Sequence, residues 1–253
     1  MKKLTNFIPF LSALVWLGAY LWLRDDPKNF LWVDLAMVIF CLLASWRISA
    51  KSKEKHWWNS AWLPMTTNLI ALGYLVIISN QFLIDVMVIA LIILNYVYWR
   101  FVYFYYNAPN RYTSFSLDNL SFYVNFLNVF LLGALAFGLR AFLQYNFWLI
   151  LIGVSLTLAL ILYQGMWVSK VDWKKYGWYW SINLLILLEF FGVLGLLPLN
   201  HNLLGFLWAS IYYLLLILFN DLMNHHFSHK RLWLYLSVVG GGWLILLLTA
   251  SWL

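Results

Sequence analysis

Nine apolar runs, each long enough for a helix of about 20 residues, fill this chain almost from end to end. A helix of that length crosses the hydrocarbon core of a bilayer, because it rises about 1.5 Å per residue and satisfies its backbone hydrogen bonds internally where water is absent. The runs cover residues 7–23, 30–46, 61–78, 82–102, 120–143, 147–168, 178–199, 203–222 and 232–252. Only 10% of the chain is charged and 64% is hydrophobic, whereas roughly a quarter of a soluble domain is charged. Lipid must therefore solvate most of the surface, and no sizeable soluble domain fits between the runs. The expected fold is all-α, a polytopic transmembrane helix bundle of about nine spans forming a single integral membrane domain over residues 1–253.

The breaks between runs carry the residues that end helices. Asp25-Asp26-Pro27 closes the first run, Pro109 follows the fourth, and Ser116 to Asn119 offers caps for the fifth. Pro198 and Asn200-His201-Asn202 divide the seventh from the eighth. Lys2 and Lys3 ahead of an apolar run resemble the start of a signal peptide, but no small-residue cleavage pattern follows. The first run is expected to stay as a helix.

Basic residues test the count, since short cytoplasmic loops retain Lys and Arg. Alternating sides across nine spans puts Lys2 and Lys3, then Arg47, Lys51, Lys53 and Lys55, then Arg100 and Arg111, then Lys170, Lys174 and Lys175, then Lys230 and Arg231 on one face. Arg24, Lys28 and Arg140 fall on the other. A missed span would scramble every later loop, so the asymmetry supports the count as well as an orientation in the cell membrane with the N-terminus cytoplasmic and the C-terminus outside. It also explains the net charge of +7 without nucleic acid, which is not expected as a partner. Trp57, Trp58 and Trp62, Tyr96, Tyr98 and Trp99, and Trp173, Trp178 and Trp180 cluster at the same ends, as amphipathic rings do at the headgroup level. The single cysteine, Cys41, excludes an intrachain disulfide and a Cys-x-x-Cys site.

A weak internal repeat runs through the middle of the chain. Leu160-Ile161-Leu162-Tyr163-Gln164 ends the sixth run and Leu216-Ile217-Leu218-Phe219-Asn220 ends the eighth. Asn119-Leu120 precedes Asn125-Phe126 by the same offset that separates Asn183-Leu184 from Glu189-Phe190, and Asn68 and Asn95 suggest an older copy. Duplicated helical hairpins would produce this pattern, as would chance among Leu-rich helices.

The repeated amides define a candidate ligand-binding layer of Asn125, Asn128, Gln164, Asn183 and Asn220 toward the cytoplasmic half, near Asn119, Asp118, Asp221 and Arg100. Such amides either hydrogen-bond between helices or line a cavity for a polar head group, and apolar walls would suit a lipid-like amphiphile better than an ion. Glu189 joins the list because it lies about eleven residues into its run, or roughly 16 Å deep, near the middle of a core about 30 Å thick. A carboxyl there must be neutralised or paired, which makes it a candidate proton carrier, ligand contact or partner for Asn125. Asp34 and Asp85 lie nearer the outer ends of their runs, where hydration is easy.

A second constellation runs from Asn220 to Arg231. On one continuous helix, Asp221, His225 and His229 would share a face and supply carboxylate and imidazole ligands to a transition metal. Three such positions extend over about 12 Å, so a metal would need further ligands, and His56 and His201 are poorly placed to give them. The plain alternative is a wet interfacial loop whose histidines, with Lys230 and Arg231, meet lipid phosphates. The Gly240-Gly241-Gly242 run is expected to permit a close helix approach or a kink.

No P-loop, G-x-S-x-G, H-E-x-x-H or mid-span lysine occurs, and the Asp-rich loop motifs of membrane prenyltransferases are missing. No cofactor is expected. Three functions remain open at this level. The first is a non-enzymatic membrane component that binds or moves a small amphiphile or serves as a subunit of a membrane assembly. The second is an enzyme on a lipid-linked substrate at the cytoplasmic face, using Asp221, His225 and His229, with Lys230 and Arg231 on phosphate. The third is a structural scaffold. The expected partners are the lipid bilayer, other membrane subunits or a lipid-like ligand.

Overall fold

The computed structural model describes residues 5–50, 57–112, 116–171, 173–223 and 228–249. Among them it forms nine α-helices and no strand. In chain order these are α1 (Ile8–Asp25), α2 (Phe30–Ser49), α3 (Asn59–Leu75), α4 (Gln81–Asn107), α5 (Ser116–Leu143), α6 (Phe147–Val168), α7 (Trp173–Leu194), α8 (His201–Met223) and α9 (His229–Thr249). Each expected run coincides with one helix. Seven of them, α2 and α4 through α9, are long and apolar enough to cross a membrane. The chain is a multi-pass membrane protein built as a helical bundle.

The two helices below that threshold differ for physical reasons. The first, α1, has 18 residues and spends its last turn on Arg24 and Asp25. The second, α3, has 17 residues, of which 12 are buried, including Asn59, Ser60, Thr66, Thr67 and Asn68. A helix enclosed by protein can carry polar groups that a lipid-facing helix cannot, provided that they find partners. Boundaries of two runs moved by five residues: the fourth, expected to end at 102, continues to Asn107, and the seventh shifted at both ends. The seventh run was expected at 178–199, but α7 covers Trp173–Leu194. Lys174 and Lys175 continue the helix beyond the apolar stretch, while Pro198 stops it early.

The helices fall into two compact units, one of residues 1–125 and 163–171 and the other of 126–162 and 172–253. In the first unit α1 packs on α4 and α2, and α3 packs on α2 and α4. Its core gathers Cys41, Ile48, Leu63, Tyr98, Trp99 and Val124. Hydrogen bonds tie the helices around α3. The Trp16 indole donates to Asn68 Oδ1 at 2.8 Å, and Asn68 Nδ2 lies 3.5 Å from the Cys41 thiol. Ser45 and Ser60 share a 2.6 Å hydroxyl contact, and Ser45 also donates to the Trp57 carbonyl. Pro64 lies inside α3 and has no N–H for the carbonyl one turn back, that of Ser60. The Tyr98 hydroxyl of α4 donates to that same carbonyl at 2.8 Å.

In the second unit α8 packs against α7 and α9. Gly133 of α5 and Gly205 of α8 bring two backbones into contact: a Cβ on Gly205 would sit 2.6 Å from the Ala134 nitrogen and 2.8 Å from the Phe130 carbonyl oxygen. Around this crossing Phe137 stacks on Phe191 at 4.6 Å, and the Trp208 indole donates to the Leu187 carbonyl at 2.8 Å. Small residues at one point allow the close approach, and large rings fill the space beside it. Helix α9 has no buried residue, and its Trp243 indole donates to Ser210 of α8 at 2.6 Å. The glycine run there was expected to admit a close neighbour or a kink. A Cβ at Gly240, Gly241 or Gly242 would meet nothing within 4 Å, and the helix runs through all three.

Candidate functional site

Asn125, Asn128, Gln164 and Asn183 are all buried. Two of them meet. Asn125 Nδ2 donates to Gln164 Oε1 at 2.6 Å, and Gln164 Nε2 donates to the Ser121 hydroxyl at 3.2 Å, joining α5 to α6 in the first unit. Asn125 Oδ1 is buried without a hydrogen-bond partner among the described residues. Asn183 instead donates to the Tyr179 carbonyl of its own helix at 2.8 Å. Asn220 falls in α8, with its side chain outside what is described. Sequence reading also missed a bond of the same kind, from the Tyr163 hydroxyl to Asn59 Oδ1 at 3.1 Å.

The Asn125–Gln164 pair has a measurable consequence. Asn125→Ala is expected to cost about 0.6–2 kcal/mol in thermal or denaturant unfolding, the usual range for an interhelical amide bond in a membrane protein. Adding Gln164→Ala should cost less than the sum of the two single changes. Strict additivity would show that the two amides do not cooperate.

Charged neighbours of this layer turn elsewhere. Arg100 donates to the Tyr96 hydroxyl at 2.8 Å and rests near the Tyr96 and Phe104 rings of its own helix. Glu189 is exposed on α7. Of the metal constellation, His225 lies outside the described residues. Asp221 and His229 belong to separate helices, because α8 ends at Met223 and Ser228 caps α9 through a 3.3 Å bond to the Arg231 N–H. Asp221 pairs with Arg231 at 3.6 Å. No group of three His, Cys, Asp or Glu is placed to hold a metal among the described residues.

A cavity lies in the first unit, at the end where α1 and α3 finish and α4 begins. It encloses about 270 Å³ between Tyr20, Leu23, Arg24, Leu72, Leu75, Val76, Gln81 and Ile84. Its construction is local at first. Asn80 caps α4 by accepting from the Phe82 and Leu83 N–H groups at 3.0 and 3.4 Å, which fixes Gln81 in the first turn with Asp85 one turn on. Tyr20 of α1 then donates to Asp85 Oδ1 at 2.9 Å, and Gln81 Nε2 lies 3.3 Å from both the Tyr20 hydroxyl and Asp85 Oδ1. Five aliphatic side chains make the walls. Arg24 stands at the rim, with no ion pair among the described residues.

The cavity thus offers an apolar slot, a guanidinium without an ion pair among the described residues, and a Tyr20 hydroxyl and Gln81 amide that bond to Asp85 behind them. An apolar pocket with a few convergent polar groups is the usual form of a small-molecule site, and this volume falls just below the usual range of about 300–1,000 Å³, so it suits a small ligand. Of these residues sequence reading singled out only Asp85, as lying near the outer end of its run; it missed Asn80 and Gln81, which a cap and an i, i+4 spacing could have pointed to. Their meeting with Tyr20 and Arg24, some sixty residues away, was not legible. No protein-family model, curated protein or solved structure matches this chain.

Proposed function

We propose that this chain is a single integral domain of the cell membrane, with its N-terminus cytoplasmic and its C-terminus outside, that binds a small amphiphile at its outer end. The observation that carries the reading is the cavity between α1, α3 and α4, lined by five aliphatic side chains together with the exposed Arg24. The charge asymmetry of the loops supports placing this end at the outer face. A short apolar tail fills the space between Leu72, Leu75 and Ile84, and an anionic head group meets the Arg24 guanidinium, which binds carboxylate or phosphate through paired donors. The tail gains by leaving water, and the head escapes the penalty of an unpaired charge. Asp85, which does not line the cavity, is held by Tyr20 and Gln81.

Purified protein in a neutral detergent tests this with three amphiphiles of one chain length carrying an anionic, a zwitterionic and a cationic head. The anionic compound is expected to raise thermal stability by about 2.7 kcal/mol at a hundredfold excess over Kd, following mass action. Arg24→Gln should weaken this response at least tenfold, and Leu75→Trp should abolish it by filling the slot. Asn125→Ala should leave it intact. An equal response to the cationic compound, or an anionic response unchanged by both cavity variants, would contradict the reading.

A further inference from the structure

A stripe of exposed residues runs along α7 through Ile182, Leu185, Glu189, Val193 and, just past the helix end, Leu196. Their spacing puts them on one face. Such a face is ordinary for a helix in lipid, except for the carboxyl at its centre. The depth of that carboxyl can be gauged inside the second unit. Arg140, in the last turn of α5, donates to the Gly195 carbonyl at 3.2 Å and lies 5.3 Å from the Phe147 ring, an arrangement suited to the polar–apolar border. Glu189 is six residues below Gly195 along α7, or about 9 Å. The exposed Trp178 is eleven residues farther in the other direction, or about 16 Å. Glu189 is therefore nearer the outer border than its run suggested, yet still within hydrocarbon.

Acyl chains offer this carboxyl no donor, and head groups lie beyond the reach of a side chain with two methylenes. No hydrogen bond or ion pair to it occurs among the described residues. A second copy of the chain supplies no remedy either. Among the described residues of the helices, Arg24, Arg47 and Arg140 are in the last turns, Lys174 and Lys175 in the first turn of α7, and Lys230 and Arg231 in the first turn of α9, while Arg100 stands nineteen residues, or about 28 Å, along α4 from Gln81, well toward the opposite border from Gly195. A copy related by a two-fold axis would bring only another Glu189 to that depth.

We propose that the α7 face centred on Glu189 docks a transmembrane helix of a different protein, one that carries a Lys or Arg at matching depth. The complement follows from charge: a basic group in the membrane interior faces the same penalty as Glu189, and the pair relieves both. Leu185 and Val193, one turn to either side, give the incoming helix its apolar seat.

The test uses the full chain in the membranes of its source organism, with a photocrosslinking amino acid at Leu185 or Val193 and, as a control, at the exposed Leu156 of α6. A discrete adduct is expected from the two α7 positions and not from Leu156, and peptide mass spectrometry should place a Lys or Arg within an apolar helix of the captured protein. Glu189→Lys should reduce the adduct at least tenfold, and changing the partner's basic residue to Glu should restore it. Glu189→Leu, which a lipid-facing helix tolerates, should lose the adduct while the protein keeps its thermal stability. Adducts with lipid only, an adduct with a second copy, or a heterologous adduct that survives Glu189→Lys would each overturn the proposal. Because α7 takes no part in the α1–α3–α4 cavity, amphiphile binding persists in the Glu189 variants.

Discussion

Gly205→Leu is expected to cause the largest loss of folded protein of any single change in the second unit. A β-carbon at Gly205 falls 2.6 Å from one backbone atom of α5 and 2.8 Å from another, and neither can rotate away as a side chain could. The helices must separate, and the Phe137–Phe191 stack and the Trp208–Leu187 hydrogen bond beside the crossing separate with them. Overpacking in a tight interior costs about 1–3 kcal/mol, and a backbone–backbone contact belongs at or above the top of that range. Gly205→Ala should already be destabilising. Gly153→Ala and Gly192→Ala, where a Cβ meets nothing within 4 Å, should be neutral or mildly stabilising. Thermal unfolding in micelles ranks the four variants. A Gly205→Leu protein as stable as Gly192→Ala would show that α5 and α8 do not cross here.

Tyr98→Phe is expected to have the largest effect in the first unit for the removal of a single atom. The hydroxyl satisfies the Ser60 carbonyl, which Pro64 leaves without its helical donor. Losing it strands a buried acceptor, at a cost of about 1–3 kcal/mol. The proline provides an internal control. Pro64→Ala restores an N–H one turn ahead of that carbonyl, so Tyr98→Phe should cost less in a Pro64→Ala background than alone. Equal costs in the two backgrounds would separate Tyr98 from the proline.

The helices were legible because the requirement that lipid imposes on a chain is written as unbroken apolar length. What α7 shows is the limit of that signal. Its helix continues through Lys174 and Lys175, where hydropathy ends, and stops before Pro198, where hydropathy continues. Glu189 therefore lies five residues from the C-terminal end of its helix rather than at its middle. The amide layer was legible in part. Asn125 and Gln164 sit at corresponding depths on adjacent helices and bond to each other, whereas Asn183 finds its acceptor on its own helix. Sequence cannot separate these cases, since a carbonyl four residues back is always within reach. The suggested repeat pairs Asn125 with Glu189, yet one is buried and the other exposed, so equal offsets do not give equal surroundings. The metal constellation presumed one continuous helix, and Ser228 opens a new one instead. The cavity was invisible for a different reason. It depends on Tyr20 and Asp85 meeting across 65 positions of chain, a fact of packing that no local pattern encodes.

The proposed alternating passage of nine helices through the bilayer, seven of them long and apolar enough to cross it, underlies the proposed amphiphile site and the proposed α7 docking face. Cysteine labelling tests it directly, on a Cys41→Ala background, although the buried native thiol should itself resist an impermeant reagent. Single cysteines replace Arg111 and Lys174 on the proposed cytoplasmic side, and Gln144 and Asn200 on the proposed outer side. Intact cells exposed to a membrane-impermeant maleimide should label positions 144 and 200 alone, with 111 and 174 reacting only after permeabilisation. Reaction of 111 and 174 from opposite sides, or of 144 and 174 from the same side, would contradict the threading.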